Sequence, residues 1–385
     1  MKAAAIADYR ELARRRLPGF LFHYIDGGSY DEITLRRNVT DLQDVALRQR
    51  VMRDVGELDL SATLFGQTYR LPVGLAPIGL GGMTARRGET QAVRAAEAAG
   101  IPFTLSTVSA CPLGEVKKAA QKPFWFQLYM TRDRGFVTDL LAQAQDAGCS
   151  ALMFTVDMAM PGARYRDVRT GLAGAPGFSG SLWRTAQALA RPDWCWDVGL
   201  LGRPHVLGNL VPLLKGKTGL DDFFAWLRGN FDGSVTWKDL DFVRERWTGP
   251  LMIKGVLDVE DARACASVGA DGLVVSNHGG RQLDGALSTA RALPDIADAV
   301  GHQLTVLADG GVRSGLDVVR MLALGAKGVL IGRAWVYALA AGGQRTLAHA
   351  LALIESEMRV AMSLTGCRTL AEIDRTALVE STKVA

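Results

Sequence analysis

The stretch AGCSALMF (147–154) has two counterparts later in the chain, VGADGLVV (268–275) and LGAKGVLI (324–331). Each joins a helical pattern to an apolar run through a small residue or glycine. Glycine supplies the left-handed backbone that stops a helix. The run that follows is continuously apolar, as expected of a strand covered on both faces. Working outward, such runs recur at Val73–Ala76, Phe103–Leu105, Phe124–Leu128, Ala151–Thr155, Leu251–Lys254, Leu273–Ser276, Thr305–Ala308 and Gly328–Ile331. Helical patterns lie between them at Glu89–Ala99, Gly114–Ala120, Arg134–Ala147, Val259–Val268, Ala290–Val300 and Ser314–Leu324.

Eight strands alternating with helices predict an α/β fold of the (β/α)8 or TIM-barrel type, with a doubly wound open sheet as the alternative. A barrel takes roughly 250 residues, so a chain of 385 residues fits a single domain of one barrel plus additions. The expected barrel covers about 72–345. A helical N-terminal extension, 1–71, ends in a hairpin around Leu64–Leu71. A long loop, about 158–236, follows strand four, and Lys238–Trp247 reads as a helix leading into strand five. The region after strand four carries Trp183, Trp194, Trp196, Trp226, Trp237 and Trp247, six of the eight tryptophans. Tryptophan suits a membrane interface, but a packed lid or an oligomer surface would use the same residues.

Composition narrows the function classes. A net charge of +4 without any run of five basic residues argues against nucleic-acid binding. Five scattered cysteines, none in C-x-x-C spacing, argue against disulfides and against a zinc site, and no metal is expected. The start MKAAAIADYRELARRR turns charged too early for a signal peptide. No apolar stretch is long enough to span a bilayer. A cytoplasmic protein, free or attached to a membrane face, is the expectation.

In such barrels the reacting groups lie at the C-terminal strand ends. The polar residues falling there are Ser106, Gln127, Tyr129, Thr155, Asp157, Lys254, Ser276, Asn277, His278, Arg281, Asp309, Arg313 and Arg333. Pro77, Ile78 and Gly79 follow strand one. Gly310 and Gly311 follow strand seven, and Gly332 follows strand eight. Glycines there let backbone N–H groups approach an anion, and Arg313 and Arg333 add charge-assisted bonds, so a phosphate site is expected. Two glycine turns with surface arginines are the plainer reading. The segment GLGGM (79–83) lacks the third glycine of a dinucleotide loop, which argues against NAD.

SNHGGRQLDG (276–285) carries the most chemistry. Histidine titrates near neutrality and can serve as a base. Arginine three residues on matches a carboxylate with two parallel bonds. A histidine in a glycine loop is often merely structural, and the polar constellation around it is what favours catalysis.

These residues resemble the FMN-dependent L-2-hydroxy-acid oxidising family. SNHGGRQLDG matches its active-site signature. FHYIDGG (22–28), LAPIG (75–79), TLSTVS (104–109), WFQLY (125–129), FTVDMAMPGARYRD (154–167), MIKG (252–255) and LADGGVRSGLDV (307–318) support it. The pattern, with ALRQRV (46–51), looks nearest to the bacterial quinone-linked, lactate-oxidising branch.

The resemblance implies FMN as cofactor and oxidation of an L-2-hydroxy acid, with L-lactate leading. It implies His278 as base, assisted by Asp157. It implies that Arg164 and Arg281 bind the substrate carboxylate with Tyr24 and Tyr129 nearby. Lys254 would lie near the flavin N1–C2 edge. Ser106, Gln127, Thr155 and Ser276 would bind the ring edge or ribityl chain. Asp309, Gly310, Gly311, Arg313, Gly332 and Arg333 would hold ribityl and phosphate, and the backbone of Pro77, Ile78 and Gly79 would face the ring. It further implies a quinone or respiratory acceptor, peripheral attachment to the cytoplasmic side of the cell membrane, and a tetramer. The alternatives are a soluble cytoplasmic enzyme, an oxygen-using oxidase, a different substrate such as mandelate or glycolate, and a non-catalytic FMN-binding barrel. Hydride and carbanion routes are not distinguishable from the residues.

Overall fold

The computed structural model describes residues 3–173, 178–214, 226 and 229–379. Eight parallel strands form its centre: β1 (Val73–Leu75), β2 (Thr104–Ser106), β3 (Trp125–Leu128), β4 (Ala151–Thr155), β5 (Leu251–Val256), β6 (Gly272–Val275), β7 (Thr305–Ala308) and β8 (Gly328–Ile331). Consecutive strands from β2 to β8 pair in order, and β8 pairs with β1. The ring closes where Leu75 of β1 bridges Phe103 in parallel, with Leu75 N–H donating to Pro102 C=O at 2.9 Å. That closure excludes the open doubly wound sheet.

The three repeated joins share one backbone device. Gly148, Gly269 and Gly325 all have positive φ, at 76°, 72° and 114°. In each, the next residue donates back to the helix: Cys149 to Ala144, Ala270 to Cys265 and Ala326 to Met321. This six-to-one bond is the Schellman stop, satisfying a carbonyl the helix end would leave bare.

Two cores result from strands covered on both faces. Trp125, Met153, Met252, Val274, Leu307 and Leu330 turn into the barrel, where Ala62 and Leu64 join them. Those two belong to a hairpin of Ala62–Leu64 and Gln67–Tyr69 that plugs the N-terminal end of the barrel. Its turn residues Phe65 and Gly66 both have positive φ, 51° and 76°, the primed geometry of a tight hairpin. The alternate strand residues face the outer helices and form the larger core.

The N-terminal extension is helical at Ile6–Arg16, Gly19–Asp26 and Ile33–Gln43. Asp26 anchors it. Its buried carboxylate accepts from Arg10 at 2.6 and 2.8 Å, Arg166 at 2.8 Å and the Tyr337 hydroxyl at 2.7 Å. Burial alone would raise this carboxyl, but the Arg10 and Tyr337 hydrogen bonds and the Arg166 charge pull it down to about 2. The mouth of the barrel is therefore built jointly by the extension, the loop after β4 and the helix after β8.

The chain after β4 is not an extended loop. It contains helices Tyr165–Arg169 and Phe178–Leu189 and several shorter turns. Its tryptophans divide: Trp194 and Trp247 are buried, Trp226 and Trp237 are half-buried, and Trp183 and Trp196 are 56% and 65% exposed. The helix expected over Lys238–Trp247 is shorter, Asp239–Arg244. No described helix is long and apolar enough to cross a membrane.

Candidate active site

The strand ends and the extension enclose a cavity of about 550 Å³, within the ~300–1,000 Å³ usual for small-molecule sites. Tyr24, Pro77, Ile78, Gly79, Tyr129 and Thr155 line it. So do Arg164, Lys254, His278, Arg281, and Asp309 through Arg313 with Gly332 and Arg333. Ser106, Gln127, Asp157 and Ser276 stand one layer back. Ser106 Oγ donates to Gln127 Oε1 at 2.9 Å, and Ser276 Oγ accepts from Lys254 Nζ at 2.8 Å.

His278 follows β6 with φ of 58°, and Gly279 and Gly280 continue the left-handed run at 65° and 74°. A side-chain-bearing residue held there costs about 1–3 kcal/mol. The loop is fastened against that strain. His278 N–H donates to Ser276 Oγ at 3.1 Å, and Gly280 N–H to Asn277 Oδ1 at 3.0 Å. Asn277 exchanges side-chain amide bonds of 2.7 and 2.8 Å with Asn38 of the extension. Asn38 lay outside the sequence reading, because nothing local marks a helical asparagine as a partner of a loop some 240 residues away.

His278 Nδ1 and Asp157 Oδ1 are 2.9 Å apart. With the proton on Nδ1, this pairing leaves Nε2 as the basic nitrogen. Burial pushes His278 below its ordinary 6.5, Asp157 pulls it back up, and Lys254 and Arg164 add to the depression. The net shift favours the neutral imidazole. Burial would raise Asp157, but His278 and Lys254 outweigh it and hold it below the usual carboxylate range. The backbone makes room for this carboxylate. Gly255 has φ of 109° at an irregular register step between β5 and β6, and a Cβ there would lie 2.6 Å from Asp157 Cβ.

Two arginines, Arg164 and Arg281, line one end of the cavity. Arg281 Nη1 donates to the carbonyls of Tyr24 and Gly27 at 2.5 and 3.1 Å, and its guanidinium lies 4.9 Å from the Tyr24 ring centre. The Arg164 side chain donates to no described residue; its Nε is buried without a partner, and its nearest carboxylate, Asp167, is 3.9 Å away. Burial lowers Arg164 to about 10, so it stays cationic at neutral pH. A buried cation without hydrogen bonds is costly unless a ligand supplies them. Tyr129, packed 5.0 Å from the Phe231 ring, is pushed up strongly by burial and by Asp157; it stays a hydroxyl donor.

The other end suits a phosphate-bearing ring. Thr155 Oγ1, Gln127 Nε2 and Asp309 Oδ1 are buried with no hydrogen-bond partner among the described residues. Lys254 Nζ lies 3.2 Å from Asp309 Oδ2. Unspent donors and acceptors grouped around one cation fit a flat ligand with a polar edge. Helices Gly315–Ala323 and Arg333–Gly342 both begin at this end of the cavity. Arg333, which also lines this end, has its donors engaged within the protein: Nε, Nη1 and Nη2 donate to the carbonyls of Ile25, Gly279 and Gly27 at 2.9, 2.9 and 2.7 Å, tying the extension to the loop after β6.

Residues 13–380 match the FMN-dependent dehydrogenase family. The chain belongs to that family. Its cofactor is accordingly FMN, and the orphaned polar atoms and the two helix starts fit that group. An L-lactate dehydrogenase of Caulobacter sp. (strain K31) is 64% identical over 381 residues, covering 99% of this chain and all of that protein. An L-lactate dehydrogenase of Xanthomonas campestris pv. campestris (strain 8004) is 61% identical, covering 100% and 99%. Among solved structures, a monotopic membrane protein, (S)-mandelate dehydrogenase, superposes with a TM-score of 0.93 at 32% identity, covering 99% and 100%. A mandelate oxidase superposes at 0.82 with 37% identity, covering 97% of each chain.

Proposed function

We propose that the protein oxidises L-lactate to pyruvate with His278 as base and passes the electrons to a membrane quinone. Relatives named L-lactate dehydrogenase at 61–64% identity over nearly the full chain support the substrate. The observation that carries the mechanism is the 2.9 Å His278–Asp157 contact beside two arginines. Arg164 and Arg281 take the carboxylate in a charge-assisted grip. Tyr24 and Tyr129 bound the same pocket. The substrate hydroxyl then lies toward His278 Nε2, which takes its proton while Asp157 stabilises the resulting imidazolium. Bound FMN supplies the two-electron acceptor. Lys254 and Thr155 would hold its polar edge, with Gln127, Ser106 and Ser276 behind them. Asp309, Gly310, Gly311, Arg313, Gly332 and Arg333 hold its ribityl phosphate, with Pro77, Ile78 and Gly79 against the ring.

The acid limb of activity tests the pair. His278 must be unprotonated to act, so kcat/KM falls as pH drops through its lowered pKa, below 6.5. Asp157→Asn removes the group that raises this pKa. The limb then moves to lower pH while the plateau falls by about a hundredfold or more. A limb that stays put or moves upward contradicts the assignment.

The quinone and membrane part rests on the outer face of the chain after β4. Leu182, Trp183, Leu189, Trp196, Leu200 and Leu201 are each about half exposed or more. An apolar, tryptophan-bearing helical face lies naturally in the interfacial plane of a bilayer. The solved relative described as monotopic supports peripheral attachment. The cytoplasmic side of the membrane and a tetrameric assembly are carried as parts of the same reading. Flotation with anionic vesicles containing a benzoquinone tests it. The protein should rise with the vesicles, reduce the quinone with L-lactate but not D-lactate, and form little peroxide. Near-stoichiometric peroxide, or failure to float, would favour a soluble oxidase.

A further inference from the structure

Asp167 is 4% exposed and lines the substrate end of the cavity, yet its carboxylate accepts no hydrogen bond from any described residue. Its position is well fixed. It sits in the short helix Tyr165–Arg169, and the preceding Arg166 is tied to Asp26 at 2.8 Å and to Glu32. Its nearest cation is Arg164, at 3.9 Å. Burial leaves this carboxyl above its ordinary value, and Arg164, Arg281 and His23 limit that rise and favour the carboxylate.

The charges along the cavity wall sort by location. Lys254 is matched by Asp309 at 3.2 Å. Arg313 and Arg333 stand at the phosphate end. Asp157 is engaged with His278 and does not line the cavity. What remains is Arg164 and Arg281 against Asp167, a surplus of one positive charge. That surplus balances one carboxylate. Without Asp167 it would balance two. Beyond Tyr24, Tyr129 and His278, this end is lined by the apolar Val108, Met160, Val168 and Phe231. A second carboxylate on the substrate would therefore meet a hydrophobic wall and one fixed anion.

We infer that Asp167 sets the charge selectivity of the substrate pocket, admitting 2-hydroxy monocarboxylates and rejecting 2-hydroxy dicarboxylates. This rests on the reading that Arg164 and Arg281 hold the substrate carboxylate. Specificity here comes from repulsion built against the wrong ligand as much as from attraction of the right one.

The test uses oxidised holoenzyme and two unreactive acids of equal chain length, 2-oxovalerate and 2-oxoglutarate, titrated by the change in flavin absorbance. They differ by a methyl against a carboxylate. The native protein should prefer 2-oxovalerate by more than about tenfold, a cautious figure for like charges a few ångströms apart. Asp167→Asn should shrink that preference by about tenfold, chiefly by tightening 2-oxoglutarate. Asp167→Glu, which keeps the charge, should preserve it. If Asp167 merely positions Arg164, Asp167→Asn weakens both acids equally and the ratio stays, which overturns the inference. Should Asp167→Asn lose its yellow colour or its melting transition, Asp167→Ser carries the same comparison. Failure of the native protein to bind 2-oxovalerate at all, or unchanged binding of it in Arg164→Met, would instead overturn the arginine reading and the inference with it.

Discussion

His278→Gln yields a yellow, FMN-loaded protein that L-lactate reduces at least about a thousandfold more slowly than the native enzyme. Glutamine has no basic nitrogen, and a positioned general base contributes roughly 10²–10⁴-fold. The cofactor stays because none of the phosphate or ring-edge contacts assigned here comes from this side chain. The glycines beside it and the Asn38–Asn277 amide pair hold the loop without the imidazole. The measurement is anaerobic mixing with L-lactate, following loss of flavin colour. Reduction at the native rate would remove His278 from its role. Reduced cofactor content would instead assign it a structural one.

Arg164→Met is expected to move activity and stability in opposite directions. The guanidinium side chain is 14% exposed, its Nε is unpartnered, and its nearest carboxylate lies beyond hydrogen-bond reach. In the substrate-free protein it is a desolvated charge with little compensation. Methionine fills similar space without that penalty, and Arg281 and His23 still act on the Asp167 carboxylate when Arg164 is gone. The melting temperature of the substrate-free holoenzyme should therefore rise by about 2–4 °C, the effect of roughly 1 kcal/mol in a large domain. The same change deletes a charge-assisted partner of the substrate, so kcat/KM for L-lactate should fall by about 10²–10³-fold. Arg281 should behave differently. It bonds two carbonyls of the extension and packs on Tyr24, so its loss should lower both activity and stability. Arg164→Met with a lowered melting temperature would show that Arg164 is a fold residue first.

The contrast between these two arginines shows where the sequence is legible. Both fall in recognisable motifs, and both can be read as carboxylate ligands. That Arg164 donates to no described residue while Arg281 is bonded to the extension depends on the backbone of residues 24–27 reaching Arg281 from more than 250 positions away. Arg333 repeats the lesson. A glycine–arginine pair after β8 reads as a phosphate contact, yet the folded side chain also spends its donors on three carbonyls. Asp26, Asn38 and Arg166 gave no local signal, because their partners lie on other elements. The tryptophans after β4 could be counted from the sequence but not sorted into buried and exposed.

The sequence by itself determined the unit of this fold: helix, Schellman stop at Gly148, Gly269 or Gly325, then a strand apolar on both faces. It also determined that histidine, arginine, lysine and aspartate cluster at the strand ends. These features follow from backbone sterics and hydrophobic periodicity, which act within a few residues. Only the tertiary structure decided that the ring closes at Leu75 and Phe103, that Asp157 meets His278 at 2.9 Å, and that Asp167 stands 3.9 Å from Arg164 without a hydrogen bond from any described residue. Those outcomes depend on which surfaces pack together and which charges lose water in doing so, and no local stretch of chain encodes either.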